Sequence, residues 1–436
     1  MLKRKTWERI KLWKSMANKM GLLVTGARQV GKTYLIREFA KEHYRNCVEI
    51  NLADNKRAAE AFAAAENAAE LFRLITIYAD VEMIRGETLI FIDEVQKCKE
   101  VVTAIKFLVE QTGYHYVLSG SLLGIELKDL RSAPVGYLDI VEMFPLDFEE
   151  FCDAKNVDRE LLADTADAFL SRKEVPAALN DRLLGMFHEY LIVGGMPAAV
   201  DAYIGSNNLQ QVRLIQNNII ALNKWDISQY ASGRELKIKR VYDLIPAELN
   251  KQNKRFLLSD MDKKARFREY EDSLVWLTEA GVAIPVYCVE SPVYPLMMSS
   301  ATNLFKLFLS DVGLLTGIFI KDTSIEILTK NPFVNYGSIY ENVVAQELHA
   351  SGVVPYYYRS KRYGELDFVI EMPDGKVFPI EVKSGKDYKR HNALNNILGI
   401  PDYRIEEAFV LHDGNLEKDG RVTYLPVYMA GLLTIR

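Results

Sequence analysis

The sequence predicts an α/β fold built on a parallel sheet, and three observations carry that expectation. Short apolar runs recur through residues 1–204, each separated from the next by a helical stretch. Runs that are apolar at every position are buried on both faces, as strands are when helices cover both sides of a parallel sheet. The segment Gly26-Ala27-Arg28-Gln29-Val30-Gly31-Lys32-Thr33 lies between one such run and a helix. A third run, Thr88-Leu-Ile-Phe-Ile92, ends on two carboxylates, Asp93 and Glu94.

In order, Leu22–Thr25 reads as a strand and Lys32–Lys41 as a helix. Val48–Leu52 is a second strand, followed by an Ala-rich helical region over Ala58–Ala69. Thr88–Ile92 and Tyr116–Leu118 complete the strands of this part. From 205 to 330 the pattern turns helical. Arg266–Ala280 carries Phe267, Tyr270, Leu274 and Leu277 at helical spacing and stops at Gly281. A strand over Val282–Val289 follows, which suggests a winged-helix-like module. After Asn331-Pro332 the texture changes again, and residues 331–436 are expected to form a further α/β domain. There, Tyr340–His349 reads as a helix introduced by Gly337 and Ser338. Glu365–Ile370 and Phe378–Lys383 read as strands joined at the Asp374-Gly375 turn. The expected domains are therefore 1–204, 205–330 and 331–436.

Composition narrows the class. With 436 residues, 49% hydrophobic and 26% charged, the chain is long enough for two or three globular domains. No apolar run reaches the ~18 residues that span a bilayer, so no membrane partner is expected. The basic start at Met1–Thr6 leads into Trp13-Lys14-Ser15 rather than an apolar stretch, so no signal peptide is expected. Cysteines 47, 98, 152 and 288 have neither disulfide nor metal-ligand spacing, which fits the reducing cytoplasm. A net charge of −5 does not advertise nucleic acid, although a local basic surface would be lost in that sum.

The segment from Gly26 to Thr33 follows G-x-x-x-x-G-K-[ST] in full. Its glycines let backbone amides approach phosphate oxygens, and the helix beginning at Lys32 aims its positive end at the same anion. Gly26, Ala27, Arg28, Gln29, Val30, Gly31, Lys32, Thr33 and Tyr34 are the expected contacts to ATP. Lys32 reaches the terminal phosphates and Thr33 ligates Mg²⁺. The competing reading, an accidental glycine turn, loses weight because Asp93-Glu94 stands where its partner should. Asp93 would hold the Mg²⁺ and Glu94 would polarise the attacking water; alone, the pair reads equally well as a helix cap. Ser119, at the end of the fourth strand, is either a γ-phosphate sensor or a turn serine. Arg28 and Arg131 are the candidates for an arginine finger, against plain surface arginines.

A second constellation lies near the C-terminus. Side chains alternate along a strand, so Glu381 and Lys383 share a face, and Asp367 faces away from Leu366 and Phe368. Asp367 and Glu381 are expected to bind a metal such as Mg²⁺, with Glu341 completing the set from the preceding helix. Lys383 would orient a metal-bound water. The alternative is a solvated Glu/Lys face on an amphipathic strand.

At this point the residues resemble a known family. The stretches are Gly26–Thr33, Phe91-Ile-Asp-Glu-Val-Gln96, Leu118-Ser-Gly-Ser121, Phe144-Pro-Leu-Asp-Phe-Glu-Glu-Phe151, Val193-Gly-Gly-Met-Pro197, Lys306–Leu315 with its Asp311-Val-Gly-Leu-Leu315, Glu365-Leu-Asp367 and Glu381-Val-Lys383. Over nearly its full length the chain resembles the prokaryotic AAA-type ATPases that carry a restriction-endonuclease-like C-terminal domain. The resemblance implies an ATPase domain, a winged-helix-like middle and a C-terminal PD-(D/E)XK-type fold. It maps the loop residues, Asp93, Glu94, Glu341, Asp367, Glu381 and Lys383 onto family positions. Tyr137 stands where many relatives carry a basic residue, so no trans-acting finger is assigned there.

The leading expectation is a Mg²⁺-dependent ATPase whose hydrolysis serves the action of the nuclease-like domain on DNA or RNA. A nucleotide-switched binding module with little turnover and an inert nuclease-like fold is the alternative. A signalling ATPase that recruits a protein partner through its middle helices is a third reading, and a homo-oligomer is admitted by all three.

Overall fold

The computed structural model describes residues 2–16, 20–121, 136–230, 233–251, 253–257, 267–319 and 336–434. The chain divides into two compact units. One is Lys3–Phe144 with Glu279–Gly281, and the other is Pro145–Thr278 with Val282–Arg436.

The first unit is an all-parallel five-stranded sheet in the order β2-β3-β4-β1-β5. Its strands are β1 (Gly21–Thr25), β2 (Asn46–Asn51), β3 (Thr88–Asp93), β4 (His115–Ser119) and β5 (Leu138–Glu142). Every residue of β3 and β4 is buried. The period-2 alternation of a strand explains why apolar positions are needed on both sides. Ile90, Ile92, Leu23 and Leu118 enter one core with helices Lys56–Ala63, Ala68–Tyr78 and Lys99–Thr112. Leu89, Phe91, Leu22, Val24 and Val117 enter the other with Lys5–Ser15 and Lys32–His43.

The helical region expected over Ala58–Ala69 is in fact two helices. The side-chain oxygens of Asn55 and Asn67 each cap a new helix, accepting from Ala58 N–H at 3.0 Å and from Glu70 N–H at 3.0 Å. Strand β5 was not anticipated; its burial is broken and Ile140 is largely exposed. Arg131 falls in 122–135, outside the described residues.

The second unit combines helices with a mixed eight-stranded sheet in the order β12-β13-β11-β10-β9-β8-β6-β7. Its strands are β6 (Ala283–Val289), β7 (Ser300–Leu309), β8 (Tyr356–Ser360), β9 (Gly364–Glu371), β10 (Val377–Val382), β11 (Ala408–His412), β12 (Glu417–Asp419) and β13 (Val422–Pro426). The expected β9–β10 hairpin is present, with Gly375 at φ 83 in its turn and Phe368 opposite Ile380. Helix Tyr336–Ala350 is buried from Ser338 to Leu348 and packs against β6, β7 and β10.

The compact division falls after Phe144 rather than after 204, so the helices Phe148–Ala154, Arg159–Ser171 and Ala177–Val193 belong with the second unit. The middle region contains helices Leu209–Tyr230, Glu235–Leu249 and Glu271–Glu279 followed by the antiparallel pair β6–β7, as a winged-helix-like segment would. That pair is not a separate module. The free edge of β6 bonds in parallel to β8 through Tyr287–Tyr356 and Val289–Tyr358, which continues the C-terminal sheet. An unpaired apolar strand edge has backbone groups to satisfy, and β8 satisfies them.

Candidate functional site

In the first unit the site gathers at the C-terminal ends of the central strands, where ligands bind in open α/β sheets. Gly26 starts the loop at φ 127, and a Cβ there would lie 2.1 Å from the Met143 carbonyl oxygen. Gly31, at φ 95, is the N-cap of helix Lys32–His43 and offers no side chain to the first-turn amides. Those amides therefore remain available to an anion. The loop is braced from outside by Arg4, whose guanidinium donates to Val30 O at 2.9 Å and Phe144 O at 2.5 Å.

Lys32 is buried, and its ammonium donates to Gly26 O at 2.9 Å and Ala27 O at 2.7 Å. Burial pulls its pKa down to about 8, against the opposing pull of Glu94 and Asp93. Asp93 is the node of the site. Its Oδ2 accepts from Thr33 Oγ1 at 2.9 Å and from Asn51 Nδ2 at 3.2 Å. Its Oδ1 accepts from the Ser119 hydroxyl and from Glu94 N–H at 3.0 Å. Glu94 sits at φ 55, in the left-handed region, and its carboxylate accepts from the Gln96 amide. The structure thus brings together Lys32, Thr33, Asp93, Glu94 and Ser119. Ala27 is buried, Arg28 half-buried, Gln29 exposed, and Tyr34 is 54% exposed.

Sequence reasoning missed Asn51, Arg4 and Gln96. Asn51 stood at the end of an apolar run, but its role follows from the β2–β3 register that sets it opposite Asp93. Arg4 reaches Phe144 across 140 positions of sequence, a separation no local pattern reports.

In the second unit, Glu341, Asp367, Glu381 and Lys383 do converge. They line a cleft of about 570 Å³ together with Lys254, Arg255, Glu365 and others. Lys383 Nζ lies 2.9 Å from Glu381 Oε2. Asp367 Oδ2 accepts from Val382 N–H at 2.8 Å. The unanticipated member is Lys306 of β7, almost wholly buried, which lies 3.4 Å from Glu341 Oε2, 3.4 Å from Glu365 Oε1 and 3.8 Å from Asp367 Oδ1. Lys254 pairs with Glu341 Oε1. Burial alone would strip Lys306 of its proton, but Glu341, Asp367 and Glu365 outweigh it and hold the ammonium above the ordinary lysine range. Burial and the neighbouring Asp367 raise Glu381, whereas Lys306 and Lys254 hold Asp367 below the usual carboxylate range against its own burial.

The metal set expected at Glu341, Asp367 and Glu381 is thus wrapped around ammonium groups. Among the described residues no three His, Cys, Asp or Glu side chains form a set able to hold a metal ion. A lone lysine inside the apolar run Leu304-Phe-Lys-Leu-Phe308 was the available signal, because a charge there must be paired.

A family model described as an AAA domain matches residues 18–152. The N-terminal part of the chain is an AAA-type P-loop ATPase domain. Domains of unknown function match elsewhere: DUF8612 over residues 184–323 and DUF4143 over 336–429. An uncharacterized protein of Methanocaldococcus jannaschii is 22% identical over 358 residues, covering 80% of this chain and 71% of that protein. Among solved structures, the Walker-type ATPase PABY2304 of Pyrococcus abyssi is 17% identical at TM-score 0.42, covering 73% of this chain and 96% of its own. The Orc1 protein of Aeropyrum pernix, in complex with DNA, is 14% identical at TM-score 0.28, covering 76% and 92%. No helix among the described residues is long and apolar enough to cross a membrane.

Proposed function

We propose that the chain hydrolyses ATP in its first unit and uses the nucleotide cycle to govern how its second unit engages a nucleic acid. The observation that carries the hydrolytic half is Asp93, which holds Thr33, Asn51 and Ser119 around one carboxylate beside the buried Lys32. In this reading the loop amides and Lys32 neutralise the terminal phosphates. Thr33 and Asp93, both oxygen donors, suit a Mg²⁺ ion, which would supply further charge neutralisation on those phosphates. Glu94 exchanges its contact with Gln96 for the attacking water, aligns it and takes its proton. Ser119 leaves Asp93 for the γ-phosphate and so reports its presence.

The nucleic-acid half rests on the cleft of the second unit, whose lining includes Lys254, Arg255, Arg359, Lys383 and Arg390. Positive groups around a concave surface are the recognition chemistry of a phosphodiester backbone. The likeness of residues 331–436 to restriction-endonuclease-like domains is supported by Asp367 on one hairpin strand and Glu381-Val-Lys383 on the other.

ATP turnover should be lost in Lys32→Ala and fall at least ~100-fold in Glu94→Gln while binding persists. Equal rates in wild type and Lys32→Ala would sink the ATPase reading. Binding of labelled single-stranded DNA, duplex DNA and RNA should weaken with salt and change between ATP and ADP. No nucleotide-dependent difference on any of them, with capture of a protein instead, would replace the nucleic acid by a protein partner.

A further inference from the structure

We infer that the ammonium of Lys306 stands where a divalent cation would have to sit in the C-terminal cluster, and that this cleft therefore grips its ligand without metal-dependent cleavage. The inference deepens the reading of the cleft given above, but its test does not depend on that reading.

Glu341 presents one oxygen to Lys254 and the other to Lys306 at 3.4 Å. Asp367 presents Oδ1 to Lys306 at 3.8 Å and Oδ2 to the backbone N–H of Val382 at 2.8 Å. Glu381 presents Oε2 to Lys383 at 2.9 Å. Each carboxylate that could ligate a metal is thus already matched by a nitrogen donor. A hard cation needs several such oxygens at about 2.0–2.6 Å at once, and the ammonium of Lys306 stands among three of the acids.

Lys306 is not a group that can step aside. It is almost wholly buried in β7 between Phe305 and Leu307, and its ammonium lies 5.2 Å from the centre of the Tyr357 ring. The same strand pairs along β6, with Val286 opposite Lys306. A lysine so enclosed is retained only where acids surround it, and Glu341 of helix Tyr336–Ala350 with Glu365 and Asp367 of β9 supply them. Lys306 therefore balances charge as a resident cation and ties helix Tyr336–Ala350 to β7 and β9. What remains toward solvent is the rim, with Arg390 exposed, Arg359 exposed at 3.9 Å from Glu365 Oε2, and Arg255 half-buried. That rim suits the phosphate groups of a polynucleotide backbone, and the scissile chemistry has no metal to use.

The test is Mn²⁺ titration of the nucleotide-free full chain by calorimetry, paired with thermal melting. Wild type, Asp367→Asn and Glu381→Gln should give the same Mn²⁺ heats, because none of them carries a metal at the cluster. Lys306→Met should melt lower than wild type, gain one Mn²⁺ site and recover part of its melting temperature when Mn²⁺ is added. A wild-type Mn²⁺ site that both Asp367→Asn and Glu381→Gln abolish would overturn the inference. So would a folded Lys306→Met chain that takes up no Mn²⁺. If Lys306→Met does not fold, the comparison of wild type with the two carboxylate variants still decides. ATP turnover and nucleotide-dependent nucleic-acid binding are read separately, so a failure there leaves this result standing, and the reverse holds too.

Discussion

Lys32 makes the most exposed claim about the nucleotide site. In the nucleotide-free chain its ammonium is buried against Gly26 O and Ala27 O, and its pKa is lowered from 10.5 to about 8. ATP places phosphate charge beside it and restores a higher pKa, so binding above pH 8 must take up a proton. The terminal phosphate, with a second pKa near ~6, is already ionised there and contributes little. By the titration curve, about 0.9 proton should be taken up at about pH 9 and about 0.1 at about pH 7. Affinity for ATP should fall ~tenfold per pH unit above 8, equivalent to ~1.4 kcal/mol per unit. The stability of the nucleotide-free fold moves the other way. Between about 8 and 10.5 the unfolded chain binds more protons at this lysine than the folded chain, so unfolding free energy rises with pH through that window. Calorimetry in two buffers of different ionisation enthalpy measures the uptake, and urea melts measure the stability. Affinity that stays flat from about pH 7.5 to 9.5, or uptake that is the same at both ends, would refute the buried-lysine argument. Lys32→Met should lose most of its affinity and all of the pH dependence.

Three further outcomes are expected. Gly26→Ala puts a Cβ 2.1 Å from Met143 O at a φ of +127, so it should cost ~1–3 kcal/mol and weaken nucleotide binding at least tenfold; a variant that melts and binds like wild type would show that the loop is not pinned against Met143. Asp311 is wholly buried and accepts from Gly195 N–H at 2.6 Å and Leu314 N–H at 2.9 Å. Asp311→Asn turns an amide N–H₂ toward a backbone donor and should cost ~1–3 kcal/mol in urea unfolding, a value below ~0.5 kcal/mol speaking against it. Burial lowers His412 to about 4, and its ring stacks on Tyr388 at 4.0 Å. Below its usual value near 6.5 the unfolded chain binds the proton first, so this contribution is complete above ~6.5 and fades toward pH 4 by about 3 kcal/mol in all. His412→Gln should flatten that part of the acid-unfolding curve, and an unchanged slope would remove His412 as its cause.

The nucleotide site was legible because its chemistry is local. A phosphate loop needs glycines, a lysine and a hydroxyl at set spacing along one turn, and a buried strand ending in Asp93-Glu94 advertises itself by the contrast of apolar run and charge. The β9–β10 hairpin was legible for the same reason: Asp374-Gly375 fits its turn and the alternation sets which side chains share a face. Asn51, Arg4 and Lys306 were not legible in that way. Each acts across a register or a long loop, and the partner is set by which strands pair.

Sequence by itself determined that this chain carries a phosphate-binding loop with an acidic strand, and that two acids and a lysine meet on a C-terminal hairpin. Only the tertiary structure decided what stands among the C-terminal acids. Strand β6 pairs with β8, which draws β7 into the same sheet, and β7 delivers Lys306 to Glu341, Glu365 and Asp367. Spacing along the chain cannot report that arrival, because hydrogen bonding between strand edges, not neighbourhood in sequence, brings the charge there.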